Sequence, residues 1–95
     1  MDVDAMLTDA ESIVDDRLLA APDYTIFQSI KQQIEYIKNI RAGKEGDRSR
    51  LSSVNVGLYG VREFEESDPE LAYLLKRVQY IADEMRQGEP VNKSV

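Results

Sequence analysis

Apolar residues recur along this chain at helical spacing in four blocks separated by turn signals. In the first, Val3, Met6, Leu7, Ala10, Ile13, Val14, Leu18 and Ala21 form one stripe, which predicts an amphipathic helix from about Val3 to Ala21. Asp2 or Asp4 can cap it. Pro22 ends it, because the residue before proline avoids helical backbone. The second block is Ile26, Phe27, Ile30, Ile34, Ile37 and Ile40. It predicts a helix from about Tyr24 to Ala42, with Asp23 or Thr25 as cap. So many β-branched residues weaken intrinsic propensity, so packing must hold this helix together. Gly43 can take the left-handed residue after its last turn.

The third block steps through Leu51, Val54, Leu58, Val61 and Phe64 or Glu65 and predicts a helix from about Arg48 to Glu65, capped by Asp47. Gly57 and Gly60 lie inside it, and each costs about 1 kcal/mol of helix propensity relative to alanine. A strand or a break over Val54 to Val61 is therefore an alternative. A helix is preferred because a lone short strand has no partner elsewhere in the chain. Close approach of a neighbouring backbone would offset the glycines. The fourth block, Leu71, Leu74, Leu75, Val78, Ile81, Ala82 and Met85, predicts a helix from Pro69 to about Gln87 closed by Gly88. The fold class expected is all-α, an antiparallel bundle of about four helices joined by short loops.

Between the third and fourth blocks stands the run Val61, Arg62, Glu63, Phe64, Glu65, Glu66, Ser67, Asp68, Pro69, Glu70, Leu71. It reads as a helix end, a sharp corner and a helix start. Asp68 is placed to cap the coming turn and Pro69 sits at the first helical position, where its missing N–H costs nothing. Ser67 with Glu70 is a competing capping box. The corner carries five carboxylates, Glu63, Glu65, Glu66, Asp68 and Glu70. Structure needs one or two, so the excess is a candidate recognition surface.

The chain has 95 residues, enough for one domain with one modest core. Residues 1–88 are read as that domain, and 89–95, with Pro90 and little apolar mass, as a frayed tail. Cysteine and histidine are both absent, which removes disulfides, thiolate chemistry, the commonest general base and the commonest metal ligand. The acidic start, Met1 to Asp4, does not resemble a signal peptide, and no apolar run is long enough to span a bilayer. A cytoplasmic location is expected.

Net charge is −6, but its distribution is uneven. Seven acids and one base lie between Met1 and Asp23, three acids and seven bases between Tyr24 and Arg62, and eight acids and four bases from Glu63 onward. An acidic chain is a poor general partner for nucleic acid. The basic middle reads either as a helix packed between acidic neighbours or as a local exception.

No constellation of residues carries catalysis. Gly57-Leu58-Tyr59-Gly60 has the Gly-x-x-Gly form of a nucleic-acid-gripping loop but lacks its flanking strands and basic neighbours, and helix packing is the preferred reading. Adjacent acids such as Asp15–Asp16 and Glu65–Glu66 point apart on a helix; Glu63 and Glu66 share a face beside a solvated corner. Of the five tyrosines, Tyr36, Tyr59, Tyr73 and Tyr80 fall beside the apolar stripes, positions suited equally to core edges and to interfaces. Neither a cofactor nor a metal is expected. The residues by themselves describe an acidic helical binding module.

Three patches add a resemblance: Gln33, Tyr36 and Ile37; Asp47, Arg48 and Ser49 with Leu51; and Val61, Glu63, Phe64, Glu66 followed by Asp68, Pro69, Glu70, Leu71. From Tyr24 to about Ala82, and more loosely at Val14, Asp16, Arg17 and Leu18, the chain resembles small immunity proteins that protect bacteria from a type VI secretion effector with NAD(P)+ glycohydrolase activity. The resemblance implies a non-catalytic inhibitor that binds the toxin domain of a cognate effector and occludes its active site. An acidic corner suits this, since a dinucleotide-cleaving cleft presents cations to phosphates. Glu63, Glu65, Glu66 and Asp68 are the contact candidates, with Tyr59 and Tyr73 as anchors. The competing reading of the same run is structural, with Phe64 and Leu71 in the core and Asp68 and Pro69 as the cap. Alternatives in function are a helical adaptor or chaperone that loads an effector, immunity to a toxin of different chemistry, and a carboxylate-dependent hydrolase, which the missing histidine and cysteine disfavour. Oligomeric state stays open.

Overall fold

The computed structural model describes residues 2–88. Helix α1 spans Val3–Ala20, α2 Thr25–Arg41, α3 Val56–Tyr59 and α4 Pro69–Arg86, with a 3-10 helix at Ser49–Ser53 and a π-helix at Gly60–Phe64 continuing α3. Among the described residues there is no strand, so the all-α expectation holds. The expectation of a frayed tail at 89–95 lies outside the described residues.

α1 begins where Asp2 accepts a hydrogen bond from the Asp4 N–H at 3.1 Å, so Asp2, not Asp4, is its cap. α2 differs from expectation: neither Asp23 nor Thr25 caps it, and Tyr24 occupies the cap position without a side-chain bond. Packing holds that end in place of a cap, with Tyr24 edge-on to Phe27 and Phe27 stacked on Phe64 at 5.4 Å. Gly43 and Gly88 follow α2 and α4 with φ of +77° and +76°, the left-handed residue that glycine adopts without strain.

Part of the uneven charge is offset between α1 and α2, where three of the five acids of α1 find bases. Asp4 pairs with Arg41 at 2.6 Å, Glu11 with Lys38 at 2.8 Å, and Asp15 with Lys31. The order of partners makes the two helices antiparallel. The basic middle is thus a neutralising face for α1, as the packing reading expected. The core lies beneath this ladder, where Met6, Leu7, Val14, Ile30, Ile34, Ile37, Leu71, Leu75, Val78 and Ile81 are fully buried; each such side chain contributes about 1.5–3 kcal/mol.

The third helix requires correction. A single helix from Arg48 to Glu65 does not form. The chain makes a 3-10 turn, runs extended at Val54 (φ −66°, ψ 124°), and starts α3 at Val56. Leu51, Val54 and Val56 are all buried, yet positions 54 and 56 would point about 160° apart on a helix, so one helix face cannot bury both. Glutamines from both sides supply the missing backbone bonds. The Gln33 amide oxygen accepts from Asn55 N–H at 2.8 Å and its amide nitrogen donates to Asn55 Oδ1 at 2.8 Å. The Gln79 amide oxygen accepts from Gly57 N–H at 3.1 Å and its nitrogen donates to the Val54 carbonyl at 3.0 Å. Asp47 is not the cap expected of it: Arg48 takes the cap position of the 3-10 turn without a side-chain bond, and Asp47, one residue earlier, accepts from the Ser49 N–H at 2.9 Å.

The predicted stripe of this segment is also rotated. Gly57 and Gly60 face the core with Val56 and Phe64, while Leu58 and Val61 face outward. A Cβ at Gly57 would stand 2.7 Å from the Gln79 Cβ, and one at Gly60 3.1 Å from the Ala72 carbonyl oxygen. The glycines let α3 lie directly on α4, the close approach that offsets their helix cost.

Candidate functional site

The corner between the π-helix and α4 is built from capping chemistry. Asp68 accepts from the Leu71 N–H at 3.5 Å, and Pro69 opens α4. Asp68 N–H donates to the Phe64 carbonyl at 2.8 Å, and the Ser67 hydroxyl donates to the Glu63 carbonyl at 3.1 Å, so the wide π-turn ends with these acceptors satisfied. Asp68 therefore wins over the Ser67–Glu70 capping box.

Asp68 has a second task. Arg17, in the last turn of α1, grips it with Nε to Oδ2 at 2.7 Å and a second nitrogen to Oδ1 at 3.2 Å. This forked pair ties the end of α1 to the corner and holds the Asp68 carboxyl below the usual carboxylate range. Asp68 is thus engaged within the fold by Arg17 and by the Leu71 N–H.

The other acids divide. Glu65 lies 3.4 Å from Lys76, both about half exposed. Glu63, Glu66 and Glu70 are exposed, and among the described residues none has an ion-pair partner. Val61, Arg62, Glu63, Glu65, Glu66 and Ser67 line an open surface depression, so the structure brings Glu63, Glu65 and Glu66 together at the corner, with Arg62 among them. The tyrosines separate. Tyr59 is half-buried against the core. Tyr73 projects from α4 with the Arg77 guanidinium 5.3 Å from its ring centre. Tyr80, also on α4, is exposed, and its interaction with the Glu84 carboxylate one turn on raises the phenol pKa.

The other two recurring patches hold the 47–55 segment. Tyr36 donates its hydroxyl to the Asp47 carbonyl at 2.7 Å, Arg48 donates to the Met85 carbonyl at 2.7 Å, Leu51 is buried, and Gln33 clamps Asn55. Those motifs mark the fold. In the third patch Phe64, Leu71, Asp68 and Pro69 do the same, and Glu63, Glu66 and Glu70 are left without a structural task. Sequence reasoning did not find Arg17 as the partner of Asp68, nor Leu58 and Val61 as surface. The glycine pair was the available signal for the second, because a helix face with two glycines can approach a neighbour more closely than one with leucine and valine.

Among the described residues no group of three histidine, cysteine, aspartate or glutamate side chains is arranged to hold a metal ion, and no helix is long and apolar enough to cross a membrane. The corner offers negative charge from Glu63, Glu65 and Glu66 around an open depression.

Comparison with known proteins agrees with this geometry. Residues 2–84 match the sequence model of the family described as Tsi6. The chain is 35% identical over 83 residues to "Immune protein Tsi6" of Pseudomonas aeruginosa, covering 87% of this chain and 88% of that one. A chain in the solved structure of Tse6 in complex with Tsi6 superimposes with a TM-score of 0.91 at 33% identity, covering 97% of this chain and 98% of that one. The structure of Tsi6 from Pseudomonas aeruginosa gives 0.81 at 33% identity, covering 86% and 95%. With this fold and this extent of match, the chain belongs to the Tsi6 family of immune proteins.

Proposed function

We propose that this chain is an immunity protein of a type VI secretion system, which binds the toxin domain of its cognate effector in the bacterial cytoplasm and occludes that domain's active site without performing chemistry of its own. The observation that carries the reading is the fold match, at a TM-score of 0.91, to a structure of Tse6 in complex with Tsi6. The exposed acids of the corner support it. The toxin is taken to be an NAD(P)+ glycohydrolase, whose cleft would hold cations for dinucleotide phosphates; Glu63, Glu65 and Glu66 would meet those cations. Tyr73 would add an exposed aromatic anchor. Asp68 and Tyr59 serve the same surface from within, one by fixing the corner and the other by packing behind it.

The test is co-expression with the cognate effector, sought in the adjacent reading frame. Protected cells with an undepleted NAD(P)+ pool are expected. Cells that die equally fast with and without the chain would overturn the reading, and protection against a toxin that leaves dinucleotides intact would remove the glycohydrolase assignment alone.

A further inference from the structure

The inverted face of α3 leaves apolar side chains where the fold has no use for them. Leu58 is 46% exposed, Val61 53%, Tyr73 54% and Tyr80 44%. These are four of the six large apolar residues exposed among the described ones. Leu58, Val61 and Glu65 share one face of the α3–π segment, and Tyr73, Lys76 and Tyr80 share one face of α4, by helical spacing. The segments lie side by side, Gly57 against Gln79 and Gly60 against Ala72. The Glu65–Lys76 pair bridges their outer edges at 3.4 Å. The two apolar strips therefore form one surface, continuous with the acidic corner at Glu63 and Glu66.

Resting on the function proposed above, the geometry points to this α3–α4 face as the seat of the toxin domain, with Leu58, Val61, Tyr73 and Tyr80 as its apolar centre and Glu63, Glu65 and Glu66 as an acidic rim on one side. The partner surface is then an apolar patch flanked by lysine or arginine. Charge selects this occupant over the alternatives. A second copy of the chain has the same net charge of −6 and the same acidic rim, so it brings a net repulsion instead of a basic flank to meet that rim. An anionic membrane surface would repel the same rim. A basic-rimmed protein satisfies both the centre and the edge, the arrangement in which a dry apolar core supplies slow release and charge supplies orientation.

The experiment measures binding of the purified toxin domain of the cognate effector to the full chain by biolayer interferometry. Leu58→Ala with Val61→Ala is the central variant. Both residues are exposed, and alanine is the better helix former, so the melting temperature is expected to hold or rise. Its Kd is expected to weaken by about tenfold, chiefly through faster dissociation. Tyr80→Ala is expected to weaken binding in the same direction. Unchanged dissociation in both variants, with wild type still bound, overturns this face while leaving the immunity function standing. Failure of wild type to bind at all overturns the function itself. Sedimentation of the chain alone supplies the third outcome: a dimer that the double variant converts to monomer would assign the face to a second copy and overturn the proposal.

Discussion

Asp68 combines two local jobs, and they can be separated. Its carboxylate caps α4 and accepts the Arg17 fork. Asp68→Asn keeps a cap acceptor and loses the charge; Asp68→Ala loses both. A cap is worth about 1 kcal/mol, whereas a partly exposed pair such as this one, with side chains 35% and 22% exposed, adds about 0.2–1 kcal/mol after solvent screening. Thermal melts should therefore rank wild type above Asp68→Asn above Asp68→Ala; an alanine variant as stable as the asparagine one would show that the cap contributes nothing. The pH dependence follows from the same group. The folded state lowers the Asp68 and Asp4 pKa values, through the Arg17 and Arg41 hydrogen bonds respectively. The unfolded chain then binds more protons as pH falls toward and below the ordinary carboxylate value near about 4. The stability these groups contribute is present above that value and is lost on acidification, so Asp68→Asn should show a shallower acid limb in urea melts than wild type. At this scale the sequence was informative where one side chain serves its own neighbourhood. Asp2, Asp68, Pro69, Gly43 and Gly88 all do what their local pattern implies. The Arg17 partner, fifty-one positions away, was invisible because nothing local selects it.

At the scale of elements, three of the four helices were legible, because each keeps an unbroken apolar stripe that only one helix face can bury. The third was not. Its stripe, read at helical spacing, placed Leu58 and Val61 inside, but tertiary contact chose the glycine face, since only there can α3 approach α4. Gly57→Ala tests that choice. The substitution gains about 1 kcal/mol of helix propensity, yet its methyl would meet the Gln79 Cβ at 2.7 Å, and overpacking of this kind costs about 1–3 kcal/mol. A net loss in melting temperature is expected, and a gain would show that α4 yields without cost. The break at Val54–Asn55 was equally hidden, because it depends on glutamines from two other helices. Gln79→Ala removes the acceptor for the Gly57 N–H and a donor to the Val54 carbonyl. The Gly57 amide should then exchange with solvent markedly faster than in wild type while amides in α1 keep their protection. Uniform protection across both would place the control of the break elsewhere.

For the whole molecule, the decisive property is where negative charge is left uncompensated. Three of the five acids of α1, Asp4, Glu11 and Asp15, are matched by Arg41, Lys38 and Lys31 of α2, so much of the acidic excess at the start of the sequence is offset by α2. Glu63, Glu66 and Glu70 have no such partner among the described residues. Three uncompensated acids of a chain with net charge −6 therefore stand together at the corner, next to the α3–α4 face. Composition exposed the excess, but only the fold shows which half of it is cancelled. A localised field of this kind acts mainly on encounter rates, and added salt screens it over about 10 Å at 0.1 M. Association with the toxin domain should therefore slow as ionic strength rises, with dissociation changing much less. Glu63→Lys with Glu66→Lys should lower the association rate by about tenfold at low salt and flatten its salt dependence. Reversing Glu11, whose charge Lys38 already neutralises, should leave that slope nearly unchanged. Equal effects from the two reversals would mean that total charge governs capture, and the corner would lose its claim to steer the partner.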